Sequence, residues 1–298
     1  MESMQQWTIP LPNNYRFKES LNFLGRNDQE CLHRIHHGHL YKLLTCDQAL
    51  FLIKIFEEKK ELKIDCLNNT PNGHQWQFIV EYVADWLDLT TDLGKFYQFA
   101  EKDPVLAPLV GSYFGLGLMG IPELFEALSW AIIGQQINLA FAYKLKRRWV
   151  ENFGTKLMFD NQAYYLLPTP QQSAVIPDEA LKQWQFSRQK IKYLKEIARL
   201  LSEGVLSKKS LQELQPAEIE KRLTRIKGVG TWTAHYVMMK CLRIPTAFPI
   251  QDVGLHQALK VCLSLDQKPA IDDIRQWEQR WEPWQAYACF YLWRSLIR

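Results

Sequence analysis

The chain has 298 residues, 47% of them hydrophobic and 23% charged, the composition of an ordinary globular protein of about two domains, which excludes disordered, collagenous and low-complexity classes. No apolar run approaches the roughly 18 residues of a membrane helix, no apolar leader accompanies the first basic residue, Arg16, and six scattered cysteines without a CxxC pair speak against a disulfide scaffold, a zinc site or an iron–sulfur cluster, so the expected compartment is the cytoplasm. The formal charge of +4 is unevenly divided: residues 1–118 hold 11 Lys+Arg against 15 Asp+Glu, a balance of −4, and residues 119–298 hold 25 against 17, a balance of +8, which points either to a polyanion held by the C-terminal half or to a solvated basic face.

In chain order, residues from about 30 to 83 read as short β segments at 40–45, 49–56, 62–67 and 75–83. They are punctuated by His37-Gly38, the charge run Glu57-Glu58-Lys59-Lys60 and a polar stretch over 68–73. These segments predict an antiparallel sheet with hairpin connections, after which residues 79–110 turn helical. A loop containing Gly111, Gly115 and Gly117 places a boundary near residue 118. Everything beyond it reads as helix. Pro122 suits the first turn of a helix running to about Ile133. Gly134-Gln135-Gln136 interrupts it, and Asn138 then caps a helix over 139–153 that Gly154 stops as a left-handed C-cap. Further helices are expected at 177–184, 187–202, 216–226, 231–242, 253–263 and from 270 onward with a break at Pro283.

The fold class is therefore α+β. An N-terminal α+β domain over 1–118, an antiparallel β-sheet with flanking helices, precedes an all-helical domain over 119–298. The tract His33, His36, His37 and His39 contains no cysteine or carboxylate and reads as strand and turn rather than as a metal site.

The most informative stretch is Gly228-Val229-Gly230, set between two predicted helices and followed by Thr231-Trp232-Thr233-Ala234-His235-Tyr236. Glycines admit positive φ and leave backbone N–H groups uncovered. With the helix N-terminus that Thr231 opens, those amides form a concavity suited to a phosphate oxygen. Such a hairpin grips a DNA backbone without reading its sequence; the alternative is a helical corner whose glycines only permit close packing.

Asp252 stands 22 residues after Gly230, within Phe248-Pro249-Ile250-Gln251-Asp252. With it, the hairpin resembles the helix-hairpin-helix plus Gly/Pro…Asp (HhH-GPD) superfamily of base-excision DNA glycosylases, and within it the alkylation-repair branch, DNA-3-methyladenine glycosylase II. Residues 102–108, 125–136 and 283–293 match that branch too, so the resemblance covers the helical half, whereas residues 1–100 share only β character with it. It implies a monomeric, monofunctional hydrolase that flips alkylated bases of the 3-methyladenine and 7-methylguanine type out of double-stranded DNA and leaves an abasic site.

Cleaving an N-glycosidic bond builds positive charge on the deoxyribose, and a carboxylate aimed at C1′ stabilises it and can orient water. Asp252 is assigned that role; it equally suits the N-cap of the helix beginning at Val253. A base already cationic through methylation needs little protonation, so one acid is enough. Superfamily members that also cut the strand carry lysine where this chain has Trp232, and Lys227 lies before the glycines, so no lyase activity is expected. Trp232 and Tyr236, four apart on one helix face, and Trp293 are expected to line an aromatic pocket in which a cationic base stacks between rings. Trp130 and Trp149 read as core, and Trp284 stays open.

DNA contact is expected at Gly228, Val229, Gly230 and Thr231, with Gln136 either filling the gap left in the duplex or serving the turn. Gln251 replaces an aspartate that relatives can carry, which removes a paired acid. No cofactor is expected for catalysis; the resemblance implies a structural Na⁺ or K⁺ on the main-chain carbonyls of Thr224, Ile226 and Val229. The rival readings are a non-catalytic damaged-DNA-binding protein and a glycosylase for deaminated or mismatched bases.

Overall fold

The computed structural model describes residues 6–297. It begins with β1 (Gln6–Pro10) and α1 (Phe17–Leu24), followed by β2 (His33–His36), β3 (His39–Cys46), β4 (Ala49–Glu58) and β5 (Glu61–Cys66). These strands form one antiparallel sheet in the order β1-β5-β4-β3-β2. Its hairpins turn on residue pairs with positive φ, Asp47 (50°) with Gln48 (64°) and Lys59 (51°) with Lys60 (64°), the turn geometry that matches right-handed strand twist.

Residues 75–83 are not a strand. They lie within α2 (Gly73–Leu87), which a capping box starts: the Asn72 side chain accepts from Gln75 N at 3.0 Å and the Gln75 side chain accepts from Asn72 N at 3.0 Å. Trp76, Ile79, Val83 and Leu87 then fall on one buried face at spacings of three and four. The cap and the helical period outweigh the aromatic and β-branched content that suggested a strand. Next come α3 (Leu93–Ala100) and α4 (Leu106–Ser112).

Beyond residue 118 come α5 (Leu124–Gly134) and α6 (Leu139–Phe153). Glu123 is the N-cap of α5, so Pro122 precedes the helix instead of entering its first turn. Asn138 caps α6 as expected, accepting from Phe141 N at 2.8 Å. Gly154 ends α6, but at φ −81° and ψ 169° it is extended and not left-handed. A Cβ there would lie 2.1 Å from the Leu166 carbonyl oxygen, so glycine is needed for close approach of the chain that follows.

That chain is a hairpin, β6 (Thr155–Phe159) and β7 (Gln162–Leu166), which interrupts the expected run of helices. It turns on Asp160 and Asn161 at φ 46° and 57°, and Tyr164 packs on Leu43 and Leu52 of the five-stranded sheet. The remaining helices are α7 (Pro170–Val175), α8 (Asp178–Gln183), α9 (Arg188–Ser202), α10 (Lys208–Gln212), α11 (Pro216–Thr224), α12 (Thr231–Lys240), α13 (Val253–Cys262), α14 (Ile271–Arg280) and α15 (Gln285–Ser295). None of the described helices is long and apolar enough to cross a membrane.

One hydrophobic core runs through both halves. Phe96 meets Tyr287 and Tyr291 of α15 at ring distances of 5.2 and 5.1 Å, and the hydroxyls of Tyr97 and Tyr291 lie 3.1 Å apart. Asp88 at the end of α2 pairs with Arg243 at 3.2 Å and accepts from Tyr287 and from Leu118 N, each at 2.7 Å, while Asp85 holds the same guanidinium at 3.0 Å. Arg243 lies three residues past the end of α12, so the acidic part of the chain anchors the root of the loop that leads to Asp252.

Candidate active site

The turn between α11 and α12 is tight because Gly228 takes φ +95°, and a Cβ there would lie 2.3 Å from the Tyr193 ring of α9. Backbone and packing both require glycine at that position. Gly230 is extended and meets open space. The N–H groups of Gly230, Thr231 and Trp232 have no acceptor among the described residues, so α12 presents an open, anion-attracting N-terminus. At Val229, assigned a DNA contact, the N–H donates to the Ile226 carbonyl at 3.0 Å and the side chain is buried. Val229 fixes the turn.

Asp252 is the N-cap of α13. Its Oδ1 accepts from Leu255 N at 2.7 Å and from Trp293 Nε1 at 2.8 Å, and its Oδ2 accepts from Trp232 Nε1 at 2.8 Å. The capping and the chemical readings thus meet in one residue, whose two oxygens are both oriented by N–H donors. Trp232 stacks on Tyr236 at 5.5 Å with 25° between planes, and Tyr236 lies 6.0 Å from Trp293. The four residues singled out in the sequence therefore converge from α12, the head of α13, and α15.

The expected sandwich is not open, however. A base between parallel rings needs a separation of about 7 Å, twice the ~3.5 Å contact distance of carbon atoms, and neither ring spacing provides it. Admitting a base between these rings requires them to part, and an indole that moves away releases an oxygen of Asp252. Burial pushes the Tyr236 phenol above its ordinary range. Trp130, read as core, instead adjoins this site, lying at the Tyr236 hydroxyl and 4.7 Å from the Tyr143 ring. Trp149 is core at 1% exposure, and Trp284 packs on Phe96 and Tyr287.

Several positioning residues were not found by sequence reasoning. His235 Nδ1 accepts from Phe248 N at 3.0 Å, and His256 Nε2 lies 2.7 Å from the Ile250 carbonyl, so the loop ending at Asp252 is pinned from α12 and from α13. Gln251 is exposed. Gln135 donates to the Gly228 carbonyl at 2.9 Å, which ties the α5–α6 turn to the hairpin. Lys190 of α9 closes the end of α5, donating to the carbonyls of Ile132 and Gln135 at 3.1 and 2.7 Å. Gln136, next along, is exposed at φ +59°. The only sequence signal here was the Gly-Gln-Gln interruption, because the partners of these side chains are backbone atoms remote in the chain.

The four histidines of the tract do not gather at one point, although the rings of His36 and His37 meet at 3.9 Å. His33 is turned inward against the Leu24 carbonyl at 3.1 Å, whereas His39 packs on Phe56. Among the described residues, the one group of three or more histidine, cysteine or carboxylate side chains whose ligand atoms lie within 4.8 Å of one another is Cys46, Asp47 and His74, at the sheet's rim.

The family model described as HhH-GPD superfamily base excision DNA repair protein matches residues 129–285, and the one for the 8-oxoguanine DNA glycosylase N-terminal domain matches residues 16–128. A DNA-3-methyladenine glycosylase of Bacillus subtilis is 38% identical over 291 residues, 97% of this chain and 96% of that one. The structure of a 3-methyladenine DNA-glycosylase from Archaeoglobus fulgidus superposes with a TM-score of 0.85 at 22% identity, covering 97% of each chain. An 8-oxoguanine glycosylase/lyase of Clostridium acetobutylicum bound to double-stranded DNA superposes with a TM-score of 0.75 at 19% identity, over 95% of this chain and 91% of that one. Both structural likenesses are likenesses of fold.

Proposed function

The chain belongs to the HhH-GPD superfamily of base excision DNA repair proteins, and from that premise we propose that it is a monofunctional glycosylase excising alkylated bases from double-stranded DNA. The observation that carries the reading is Asp252, held between the indoles of Trp232 and Trp293 beside an aromatic wall. A cationic methylated purine gains about 0.5–2 kcal/mol from each good ring face, which a neutral base does not. As the glycosidic bond breaks, charge grows on the sugar, and a carboxylate still held by its bond from Leu255 N stabilises it. Such a base leaves unprotonated, so the reaction asks for no second acid.

The indole at position 232 has no amine with which to attack C1′, so hydrolysis ends at an abasic site. The unpaired N–H groups of Gly230 and Thr231 hold a phosphate, and exposed Gln136 is the residue assigned to fill the gap in the duplex. The carbonyls of Thr224, Ile226 and Val229 are hard oxygen donors, and the Ile226 oxygen keeps a second lone pair beyond its bond from Val229 N. This donor set suits Na⁺ or K⁺, which would stiffen the hairpin.

Incubation with methylated duplex, followed by chromatography of released bases and a gel for strand breaks, tests the reading. Wild type should release 3-methyladenine and leave the strand intact, and Asp252→Asn should release none while still binding an abasic duplex. Near wild-type excision by that variant would remove Asp252 from the chemistry. Release of 8-oxoguanine or deaminated bases alone would instead favour the neutral-lesion reading.

A further inference from the structure

The face of α12 that carries Trp232 and Tyr236 continues to Lys240, because residues four apart share a helix face. Lys240 is 5% exposed, and its Nζ has no hydrogen-bond or ion-pair partner among the described residues. It lies against two ring faces, Phe23 of α1 at 5.4 Å and Phe290 of α15 at 4.6 Å. Phe290 is one turn from Trp293 on α15. Helical side chains lean back toward the helix N-terminus, so the lysine stem runs from its Cα toward Tyr236. Trp232 and Lys240 are eight residues apart, about 12 Å along the axis, which puts Lys240 too deep to reach a sugar at Asp252. A base admitted beside Tyr236 would turn its edge remote from the sugar toward that depth.

Packing gives no reason for an amine at this position. A buried ammonium without a counter-ion is strongly unfavourable, and ring faces offset only part of that. Burial pushes Lys240 well below the ordinary lysine range, and Arg26 and Arg243 push it the same way. Methionine would fill the same space with nothing to desolvate.

We infer that Lys240 is a specificity-determining residue at the floor of the base pocket, its Nζ accepting a hydrogen bond from the exocyclic amino group of a flipped adenine or guanine derivative. This rests on the glycosylase reading above and adds what recognises the base. A neutral amine accepts that bond beside a cationic ring without charge repulsion, whereas an ammonium does neither. The charged and titratable groups around it are Arg26, Arg243, Asp88 and Cys289. Asp88 is tied to Arg243 at 3.2 Å, and Cys289 is held far above the ordinary thiol range by burial. Lys240, held below the ordinary lysine range, gains a proton on acidification.

The experiment compares wild type, Lys240→Met and Lys240→Gln on a duplex carrying 3-methyladenine, and on the same duplex carrying a tetrahydrofuran abasic analogue, which offers no base to read. Lys240→Met should lower kcat/KM at least ten-fold with abasic-duplex affinity within two-fold of wild type. Lys240→Gln, which keeps an acceptor, should recover part of the loss. The acid limb of the wild-type pH profile should be missing from Lys240→Met. Excision by Lys240→Met within two-fold of wild type would overturn the inference, as would a parallel fall of excision and abasic-duplex affinity in both variants. Wild-type protein that binds abasic duplex but releases no methylated base would overturn the enzymatic reading and this inference together, so the two failures are distinguishable.

Discussion

Trp232 donates its indole N–H to Oδ2 of Asp252 across 2.8 Å, which makes the carboxylate and the aromatic wall one unit. Trp232→Phe keeps a ring for stacking on Tyr236 and removes the donor. A hydrogen bond to a charged group is worth about 1.5–3 kcal/mol. If the bond persists in the transition state, single-turnover excision should fall by about ten- to a hundred-fold, with the melting temperature little changed. Undiminished excision would mean that Leu255 N and Trp293 suffice to orient the acid.

Lys190 holds the α5–α6 turn by two main-chain carbonyls. Lys190→Met leaves the Gln135 carbonyl without that donor, at about 1–3 kcal/mol for a stranded polar group, whereas the Ile132 carbonyl keeps its bond from Gln135 N. The expected result is at least ten-fold weaker binding of an abasic duplex by fluorescence anisotropy, partly restored by Lys190→Arg. Wild-type affinity in Lys190→Met would show that Gln136 and its neighbours keep their place without the ammonium.

Acid should destabilise the fold through its N-terminal part. Burial pushes His33 down to about 4 from an ordinary 6.5, against the opposing pull of Glu30. The unfolded chain therefore takes up the proton first, so this contribution is complete above about pH 6.5 and is lost as pH falls toward 4, about 3 kcal/mol in all. For Glu30, burial alone would raise the carboxyl, but Lys146 at 2.6 Å and His33 hold it well below the ordinary range. Its contribution is present above the ordinary carboxylate range and disappears on further acidification, in the same direction. Urea melts at pH 7.5 and 4.5 should show the loss, and His33→Leu should flatten the upper part of it; a wild-type profile flat over this range contradicts the assignment.

Local signals made much of this legible, and remote ones did not. Asn138, Ser187 and Asp252 were recognisable as helix starts because a cap is decided within four residues, and all three accept from a backbone N–H three residues on. Residues 75–83 misled because their side chains suit a strand, although Asn72 and Gln75 already spelled a capping box. The β6–β7 hairpin was hidden by its helical surroundings, although Asp160-Asn161 is turn chemistry. Asp252, Trp232, Tyr236 and Trp293 were found through the motif they share. Lys190, Gln135, His235 and His256 had no such signature, since what they hold is backbone from elsewhere in the chain.

The hairpin itself is open to a direct test. At Gly228, alanine must place a Cβ against the Tyr193 ring at a φ of +95°, a strain of about 1–3 kcal/mol before the clash. Gly228→Ala should lower the melting temperature and weaken duplex binding. Titrating salt against wild-type affinity gives the number of phosphates engaged, since log K falls by about 0.9 per phosphate neutralised. A flat salt response would separate the basic half of the chain from DNA.

The contact of α15 with α1, α3 and α4 bears on how the protein is made. Phe23, Phe96 and Tyr97 are covered by Phe290, Tyr287 and Tyr291, rings that lie far along the chain from them. The N-terminal segment completes its core only once α15 has been made and has docked. A stop codon before Tyr287 would leave that apolar surface bare, and would also delete Trp293 from Asp252, so a truncated product would lose its solubility and its carboxylate clamp at the same stroke.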